Sequence, residues 1–146
     1  MNFSIQFPNQ LAHLLQVTTS FYMLGVIWIV QLILYPSFLS TDPKLFEKLH
    51  ARHTAAMGFL VGPAMILELI TASLLIAVEL NTFALTNLII VILLWILTFF
   101  ISVPLHNRLV NGFDEKTTKK LISTNWPRTA LWSMKAIGTL YWINFL

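Results

Sequence analysis

Apolar positions along the chain form four long runs that are separated by short polar connections. The runs cover residues 11–36, 55–78, 83–103 and 126–146. Each run is close to the roughly 20 residues that an α-helix needs to cross a bilayer. With the polar turns that flank them, the runs predict helices over about residues 9–36, 43–79, 83–107 and 118–146. Because short connections join consecutive helices, the pattern predicts an all-α, antiparallel four-helix bundle.

Local residues support these boundaries. Asp42 followed by Pro43 is typical of a helix N-cap with proline at the first helical position. Asn81-Thr82 is typical of a tight turn between the second and third helices. Proline cannot donate a backbone hydrogen bond, so it ends or kinks a helix. We expect this effect at three positions: Pro36, Pro63 and Pro104.

Composition indicates that the bundle is an integral membrane protein. Apolar residues make up 57% of the chain and charged residues 10%, against about 45–50% and about 25% in soluble domains. A water-soluble fold of 146 residues cannot hide so much apolar surface. The connections are too short to hold a second domain. We therefore predict that residues 1–146 form a single transmembrane domain.

The basic residues predict the orientation of the chain. Lysine and arginine flank the first and third connections but are absent from both ends of the chain and from residues 79–82. The positive-inside rule places those two connections in the cytoplasm and both termini on the outer side of the cytoplasmic (inner) membrane. A net charge of +3 distributed in this way indicates topology and no nucleic-acid partner. No basic residue precedes the long first run, so no cleaved signal is expected.

Polar residues within the runs recur at helical spacing and predict a polar seam inside the bundle. On the second helix, His50, His53 and Glu68 fall within one sector at about 100° per residue. Glu68 and Lys135 lie deep within their runs, where a lone charge costs at least about 2.5–3.5 kcal/mol. We therefore predict an ion pair between Glu68 and Lys135. Such a pair could hold the helix register, relay protons or contact a substrate.

Five polar residues converge on the cytoplasmic boundary of the predicted bundle. His50 and His53 begin the second run, His106 ends the third, and Asn125 and Arg128 open the fourth. Polar groups of this kind near hydrocarbon indicate a functional site or a fixed internal pair. The three imidazoles suit Zn, Cu or Fe, and the chain has no cysteine to offer as a thiolate ligand. Metal-free acid–base use and a purely structural role remain open, so the cofactor is Fe, Cu, Zn, heme or none.

Two segments resemble a known family. Residues 103–109 (VPLHNRL) end the third helix, and residues 125–129 (NWPRT) open the fourth. Their prolines, asparagine, arginine and threonine resemble the paired motifs of the anthrone-oxygenase-like proteins, a family of small four-helix integral membrane proteins. Ser102 and His106 stand where that family usually has asparagine, and Trp126 stands where histidine is common. The resemblance covers the last third of the chain and extends to the rest only as topology.

The resemblance implies a membrane oxygenase, an oxidoreductase of the monooxygenase type, that oxidises an activated CH₂ group of a lipophilic, planar polycyclic aromatic. In that interpretation His50 or His106 is the catalytic base, and Arg128 with Asn125 stabilises an enolate-like oxygen. Inward-facing residues are candidate substrate contacts: Gln31, Tyr35, Trp132, Glu68 and Lys135. Further aromatic residues could supply flat apolar walls: Trp95 and Trp126.

A non-enzymatic function is the alternative. The same seam, ion pair and histidines suit a membrane subunit that binds heme, quinone, lipid or a metal ion, or a protein that conducts ions. The lack of inverted repeats argues against a standard secondary transporter. The expected partners are the lipid bilayer and a lipophilic small molecule, with a homo-oligomer left open. The sequence does not determine whether the chain is an enzyme, nor the identity of its substrate.

Overall fold

The computed structural model describes the backbone of residues 3–143 and the side chains of residues 10–142. These residues form four helical rods and no strand. The first rod joins α1 (Phe3–Ile29), a π-helical turn (Val30–Leu34), α2 (Tyr35–Ser37) and a 3₁₀ turn (Phe38–Ser40). The second rod is α3 (Pro43–Val78). The third rod joins α4 (Thr82–Leu97), a π-helical turn (Thr98–Ser102) and α5 (Val103–Arg108), and the fourth rod is α6 (Glu115–Ile143).

The observed rods agree with the predicted helices in order and approximate bounds. The first rod continues to Ser40 through its 3₁₀ turn, and the fourth begins at Glu115, three residues earlier than predicted. Residues 1–2 and 144–146 lie outside the described residues. The predicted outer termini and the last three residues of the predicted fourth helix belong to those segments, so the structure does not describe them.

Short polar side chains begin three of the rods. Asp42 accepts a 2.9 Å hydrogen bond from the Lys44 backbone N–H, and Asn81 accepts one of 2.9 Å from that of Ala84. The predicted cap at Asp42 with Pro43 in the first turn is confirmed. Asp114 caps α6 through a 2.7 Å hydrogen bond from the Thr117 backbone N–H. Hydrogen bonds from the Thr117 hydroxyl and N–H hold the pKa of the exposed Asp114 carboxyl below its usual value of 3.8.

Two prolines inside the rods, Pro36 and Pro104, each follow a π-helical turn. Before Pro36, the Tyr35 N–H reaches back five residues to the carbonyl oxygen of Val30. Before Pro104, the Val103 N–H does the same to Thr98. Proline disrupts the α-helical hydrogen bond to the carbonyl four residues earlier, and the wider turn accommodates its ring. Pro63 and Pro127, in contrast, lie within continuous α-helices.

The rods pack in a closed ring. The first rod contacts α3 and α6, α3 contacts α4, and α4 contacts α6. Gln16, early in the first rod, reaches Thr71, late in α3, at 2.7 Å between amide nitrogen and hydroxyl oxygen. Tyr35, late in the first rod, reaches His106 in α5. Three apolar clusters fill the interior of the described bundle. One includes Phe38, a second includes Met23, Leu94 and Trp132, and a third is formed by Ala12, Leu75 and Ala84.

Three rods are long and apolar enough to cross a membrane: Gln10–Ser40, Pro43–Val78 and Thr82–Arg108. Many large apolar side chains on these rods point outward, among them Phe59 and Phe100, which are 80% and 77% exposed. The sequence predicts a fourth crossing, but α6 is not among the rods that qualify by length and composition over the described residues. Its charged residues, Arg128 and Lys135 included, lower its hydropathy.

Candidate functional site

A cavity of about 420 Å³ lies between the first three rods and is closed by Arg128 from the fourth. Its walls are mainly apolar, and its polar groups gather at the end where α5 and the π-helical turn before it meet α3. Pockets that bind small molecules usually share this pattern of apolar walls and a few convergent polar groups. The polar lining includes Tyr35, His53, Ser102, His106 and Arg128.

Tyr35, His106 and His50 form a hydrogen-bonded relay that begins at the cavity. The Tyr35 hydroxyl lies 3.0 Å from Nε2 of His106, and Nδ1 of His106 lies 3.0 Å from Nε2 of His50. His50 is buried and stacks on Phe46, with ring centroids 5.5 Å apart. The relay therefore connects the cavity to a buried imidazole behind it.

Two proton arrangements satisfy both hydrogen bonds of the relay. In one, the Tyr35 hydroxyl donates to Nε2 of His106, whose Nδ1–H donates to His50. In the other, every donor and acceptor is exchanged, since a neutral imidazole has one donor and one acceptor nitrogen. Arg128 and Tyr35 both line the polar end of the cavity, and a nearby cation repels the hydroxyl proton. This electrostatic effect favours the arrangement in which Tyr35 donates toward His106.

His53 lines the cavity and has an unused ring nitrogen. Its ring stacks on His106, with centroids 5.6 Å apart, and its edge packs against Tyr35 and Phe38. Its Nε2 atom is buried and has no hydrogen-bond partner in the described part of the chain. Both ring nitrogens of His106, in contrast, are engaged in the relay. Protonation of the unused His53 nitrogen would therefore break no hydrogen bond within the described residues.

Arg128 is a buried cation with neutral partners. Its side chain is 6% exposed, and its Nη1 donates to the Asn125 side-chain oxygen at 2.9 Å and to the Ser102 hydroxyl at 3.2 Å. Among residues 10–142, no carboxylate lies within 4.0 Å of the guanidinium. Its Nε is buried without a partner in those residues. A buried charge of this kind is costly unless an opposite charge compensates it.

A second set of amide hydrogen bonds holds Arg128 in place. The Asn125 side-chain nitrogen donates to the Gln31 side-chain oxygen at 2.9 Å. The same Gln31 oxygen accepts a 3.3 Å hydrogen bond from the Thr129 hydroxyl, and its nitrogen donates to the Ile122 carbonyl. Asn125 therefore has both amide atoms engaged, one with Gln31 and one with Arg128. Gln31 lies in the first π-helical turn and does not line the cavity.

The imidazole rings of His50, His53 and His106 form a stack. The rings of His53 and His106 lie 28° from parallel, and those of His50 and His106 lie 30° from parallel. One nitrogen of His50 and one of His106 bind each other. Over the described residues, no group of three or more His, Cys, Asp or Glu side chains is arranged to hold a metal ion. The metal interpretation of His50, His53 and His106 therefore gains no support from the arrangement.

The predicted pair between Glu68 and Lys135 is confirmed, at 2.9 Å between Nζ and Oε1. Lys135 also donates to the Gln16 side-chain oxygen at 2.8 Å and to the Ser20 hydroxyl at 2.6 Å. Its three N–H donors thus have three acceptors, and Gln16 bridges onward to Thr71. This network does not line the cavity. Because each N–H donor of Lys135 already has an acceptor, this network is typical of one with a structural role.

The other residues of the predicted site take different places. Trp132 is buried in an apolar cluster beside Lys135, and its ring does not line the cavity. Trp95 does line it, while Trp126 is exposed on the surface of the fourth rod. His13, at the other end of the bundle, has its Nε2 3.6 Å from a Glu79 carboxylate oxygen.

The sequence interpretation missed several cavity residues. Ser102 is not among the predicted site residues, although it stands four residues before His106 and therefore on the same helix face. Gly58 and Gly62 line the cavity through the space that their missing side chains leave. Their spacing of four residues was the available signal, because such pairs form one flat strip along a helix.

Comparison with known proteins adds no relative. No protein-family model, no curated protein and no solved structure matches the chain. The resemblance of residues 103–109 and 125–129 to the anthrone-oxygenase-like motifs therefore rests on those residues alone.

Proposed function

We propose that the chain is an integral protein of the cytoplasmic (inner) membrane whose four rods cross the bilayer as an antiparallel bundle. The fourth rod supports this, because from Asn125 onward its charged groups turn inward and its outward face is apolar. Lys135 and Arg128 are 2% and 6% exposed, whereas Ile137 and Tyr141 are 68% and 66% exposed. A helix of low hydropathy can still cross a membrane when its charged side chains are buried inside the bundle. The basic residues favour cytoplasmic connections between rods one and two and between rods three and four.

Within that bundle, we propose an enzyme that removes a proton from a lipophilic carbonyl compound and oxidises it with O₂. The observation that carries this proposal is the uncompensated Arg128 cation at the polar end of an apolar cavity. A cation held by fixed neutral dipoles in a dry pocket stabilises an oxyanion that forms during a reaction. The apolar walls favour a substrate that partitions from the bilayer. The motif resemblance supports oxygenation as the overall reaction.

His53 is the proposed base. Its free Nε2 removes one proton from a CH₂ group activated by the carbonyl, and the electron pair of that bond forms an enolate whose oxygen faces Arg128. O₂ adds to the carbanionic carbon to give a peroxide, which recovers the proton from His53. Loss of water then leaves a second carbonyl, so that CH₂ and O₂ become C=O and H₂O. No atom or electron is left unaccounted for.

The remaining polar residues position these two groups. Asn125 and Ser102 orient Arg128 through its Nη1. The relay of Tyr35, His106 and His50 holds a phenol hydroxyl at the cavity wall. In this proposal His50 and His106 are positioning residues, and His53 replaces them as the base.

Oxygen uptake with anthrone as the substrate tests the proposal. For Arg128→Gln and His53→Gln, we expect kcat/KM to fall by about 10²-fold or more, as for the loss of an oxyanion donor or a general base. The control variants Arg108→Gln and His13→Gln alter the same residue types outside the cavity and should retain the parent rate. Equal rates in all four variants, after subtraction of the spontaneous oxidation of anthrone, would contradict the enzymatic proposal.

A non-enzymatic ligand-binding subunit is the second candidate. It is favoured by the apolar lining, because a heme, quinone or lipid could occupy the cavity without reacting. The absorbance spectrum and metal content of detergent-purified protein separate the two candidates. A Soret band or stoichiometric Fe, Cu or Zn would favour a cofactor-binding subunit over the metal-free acid–base enzyme.

A further inference from the structure

The cavity opens sideways between the second and third rods. Several of its lining residues are also exposed on the outer surface, namely Ile66 of α3 with Phe99 and Val103 of the third rod. The second rod packs along α4, but its contacts with the following π-helical turn and α5 are few. The backbones of the two rods therefore diverge toward the end where the polar groups lie, and the side chains of His50 and His53 reach across to His106 there. In a membrane, this opening faces the hydrocarbon of the bilayer.

The cavity is long in the direction of the helices. On α3 its lining runs from His53 to Ile66, which is about 20 Å at 1.5 Å per residue. A volume of about 420 Å³ spread over that length makes the cavity long and narrow. Only the end near His53 and Arg128 carries the main polar groups, and the rest is lined by apolar residues such as Met65 and Val61. The shape is complementary to an elongated molecule with one polar end.

Gly58 and Gly62 create the open side of this space. They are four residues apart on α3, and both line the cavity. Pairs of glycines at this spacing usually allow two membrane helices to approach closely. Here a Cβ atom added to either glycine would meet no atom within 4 Å, so no helix of the described chain occupies the strip. The missing side chains leave room for something that is not part of the described chain.

We propose that this space holds an aliphatic chain of the ligand, which extends from the cavity into the bilayer past Gly58 and Gly62. The ligand is then an oxygen-bearing ring with a long alkyl or isoprenoid tail. The ring oxygen faces Arg128, and the tail lies along the glycine strip. This inference rests on the proposed function, because it assumes that the polar end holds the reacting group. It makes the two glycines specificity-determining residues that select tailed substrates.

A pair of probes and a pair of leucine variants test the proposal. The probes are lawsone, a hydroxyquinone with an ionised enolate oxygen, and its decyl-substituted derivative, each titrated against protein in lipid nanodiscs. Gly62 lies nine residues beyond His53, about 13 Å along the helix, so Gly62→Leu should block the tail and spare the ring. The control Gly25→Leu makes the same change at a glycine that also has free space but lies outside the cavity.

We expect Gly62→Leu to weaken binding of the decyl probe by about tenfold, since a chain of buried methylenes loses its contacts. Binding of lawsone should change less than about twofold, and Gly25→Leu should match the parent for both probes. The same nanodiscs serve every titration, so partition of the decyl probe into lipid cancels in the comparison. Equal effects of Gly62→Leu on the two probes, or no effect on either, would contradict the proposed tail site. So would failure of both probes to bind the parent protein.

Arg128→Gln separates failure of this inference from failure of the proposed function. If Arg128→Gln weakens lawsone binding but Gly62→Leu does not weaken binding of the decyl probe, the proposed oxyanion site is supported and the proposed tail site is wrong. If neither probe depends on Arg128, the proposed function itself is contradicted.

Discussion

Lys135 illustrates how a residue that is costly in isolation becomes stable in a network. Its ammonium group has three acceptors, Glu68, Gln16 and Ser20, at distances of 2.6–2.9 Å. Each N–H donor is matched, and the charge is balanced by the Glu68 carboxylate. The ion pair was predictable because either charge alone in an apolar run demands a partner. The roles of Gln16 and Ser20 were not, because the sequence does not specify which rotamers reach across the bundle.

Removal of one charge of this pair should destabilise the bundle. We expect Lys135→Met to lower the free energy of unfolding by about 3–5 kcal/mol, because it leaves the Glu68 carboxylate buried without its counter-ion. The double variant Lys135→Met with Glu68→Gln should recover part of the loss. Unfolding in mixed micelles measures both effects. Full stability of Lys135→Met alone would show that the ion pair does not hold these rods together.

The three histidines show a different limit of sequence reasoning at the residue scale. Their convergence at one end of the bundle was predictable from chain reversal, and the structure brings His50, His53 and His106 into one stack. Their separate roles were not predictable. Only the structure distinguishes the two imidazoles whose nitrogens bind each other from His53, whose Nε2 is buried without a partner in the described residues. Helical spacing predicts on which side of a helix a histidine lies, but it does not predict the orientation of the imidazole ring.

The π-helical turns are the elements that set the register of the site. Each inserts one extra residue before a proline, and residues of the site lie in or beside it: Gln31 and Tyr35 at the first, Ser102 at the second. The prolines were visible in the sequence and predicted a kink or an end. The widened turn was not predicted, because several backbone adjustments relieve the same proline clash.

Replacement of Pro36 should separate stability from function. We expect Pro36→Ala to permit a regular α-helix, since alanine restores the backbone N–H and removes the ring. A regular α-helix would not accommodate the extra residue of the π-helical turn, so the Tyr35 side chain would rotate by about 100° away from His106. Stability should be unchanged or higher, while lawsone affinity falls. The matched control is Pro63→Ala, because Pro63 lies within a continuous α-helix and follows no π-helical turn. Unchanged lawsone affinity in Pro36→Ala would refute the role of the turn.

The stability of the first turn of α6 should depend on pH through the Asp114 carboxyl. Hydrogen bonds from Thr117 keep the folded pKa of this carboxyl below 3.8, so the cap stabilises the helix above that value. Its contribution is lost as the pH falls through the lower folded pKa. Hydrogen exchange of the Thr117 amide should therefore show less protection near pH 3 than near pH 5. Asp114→Asn retains a capping oxygen without titrating, and its protection should not show this change. A parallel pH response in both proteins would contradict the assignment to Asp114.

At the scale of the whole molecule, composition and the four apolar runs predicted the number and order of the rods. The observed bounds of the second and third rods, Pro43–Val78 and Thr82–Arg108, differ from the predicted ones by one residue at most. The first rod continues four residues beyond its predicted end to Ser40, and the fourth begins three residues early at Glu115. The cavity could not be predicted, because it arises from the separation of two rods that remain joined at one end. That separation depends on packing over the whole ring. The sequence indicated only that Gly58 and Gly62 leave one strip of α3 without side chains.

The orientation of the bundle can be tested with single cysteines, since the chain has none of its own. We expect Asn81→Cys to react with an impermeant thiol reagent on intact cells. Lys116→Cys should react only after permeabilisation, because the positive-inside rule places the third connection in the cytoplasm. Strong labelling of Lys116→Cys from outside would show that the orientation is inverted.

In the proposed function, Arg128 receives the oxyanion of a lipophilic ligand in the cavity. The most direct test is an experimental structure of the protein with lawsone bound. We expect lawsone within the cavity, with its enolate oxygen at hydrogen-bonding distance from the Arg128 guanidinium and a ring edge beside His53. Lawsone bound elsewhere, or Arg128 paired with a carboxylate of the protein in that structure, would refute the oxyanion role of Arg128.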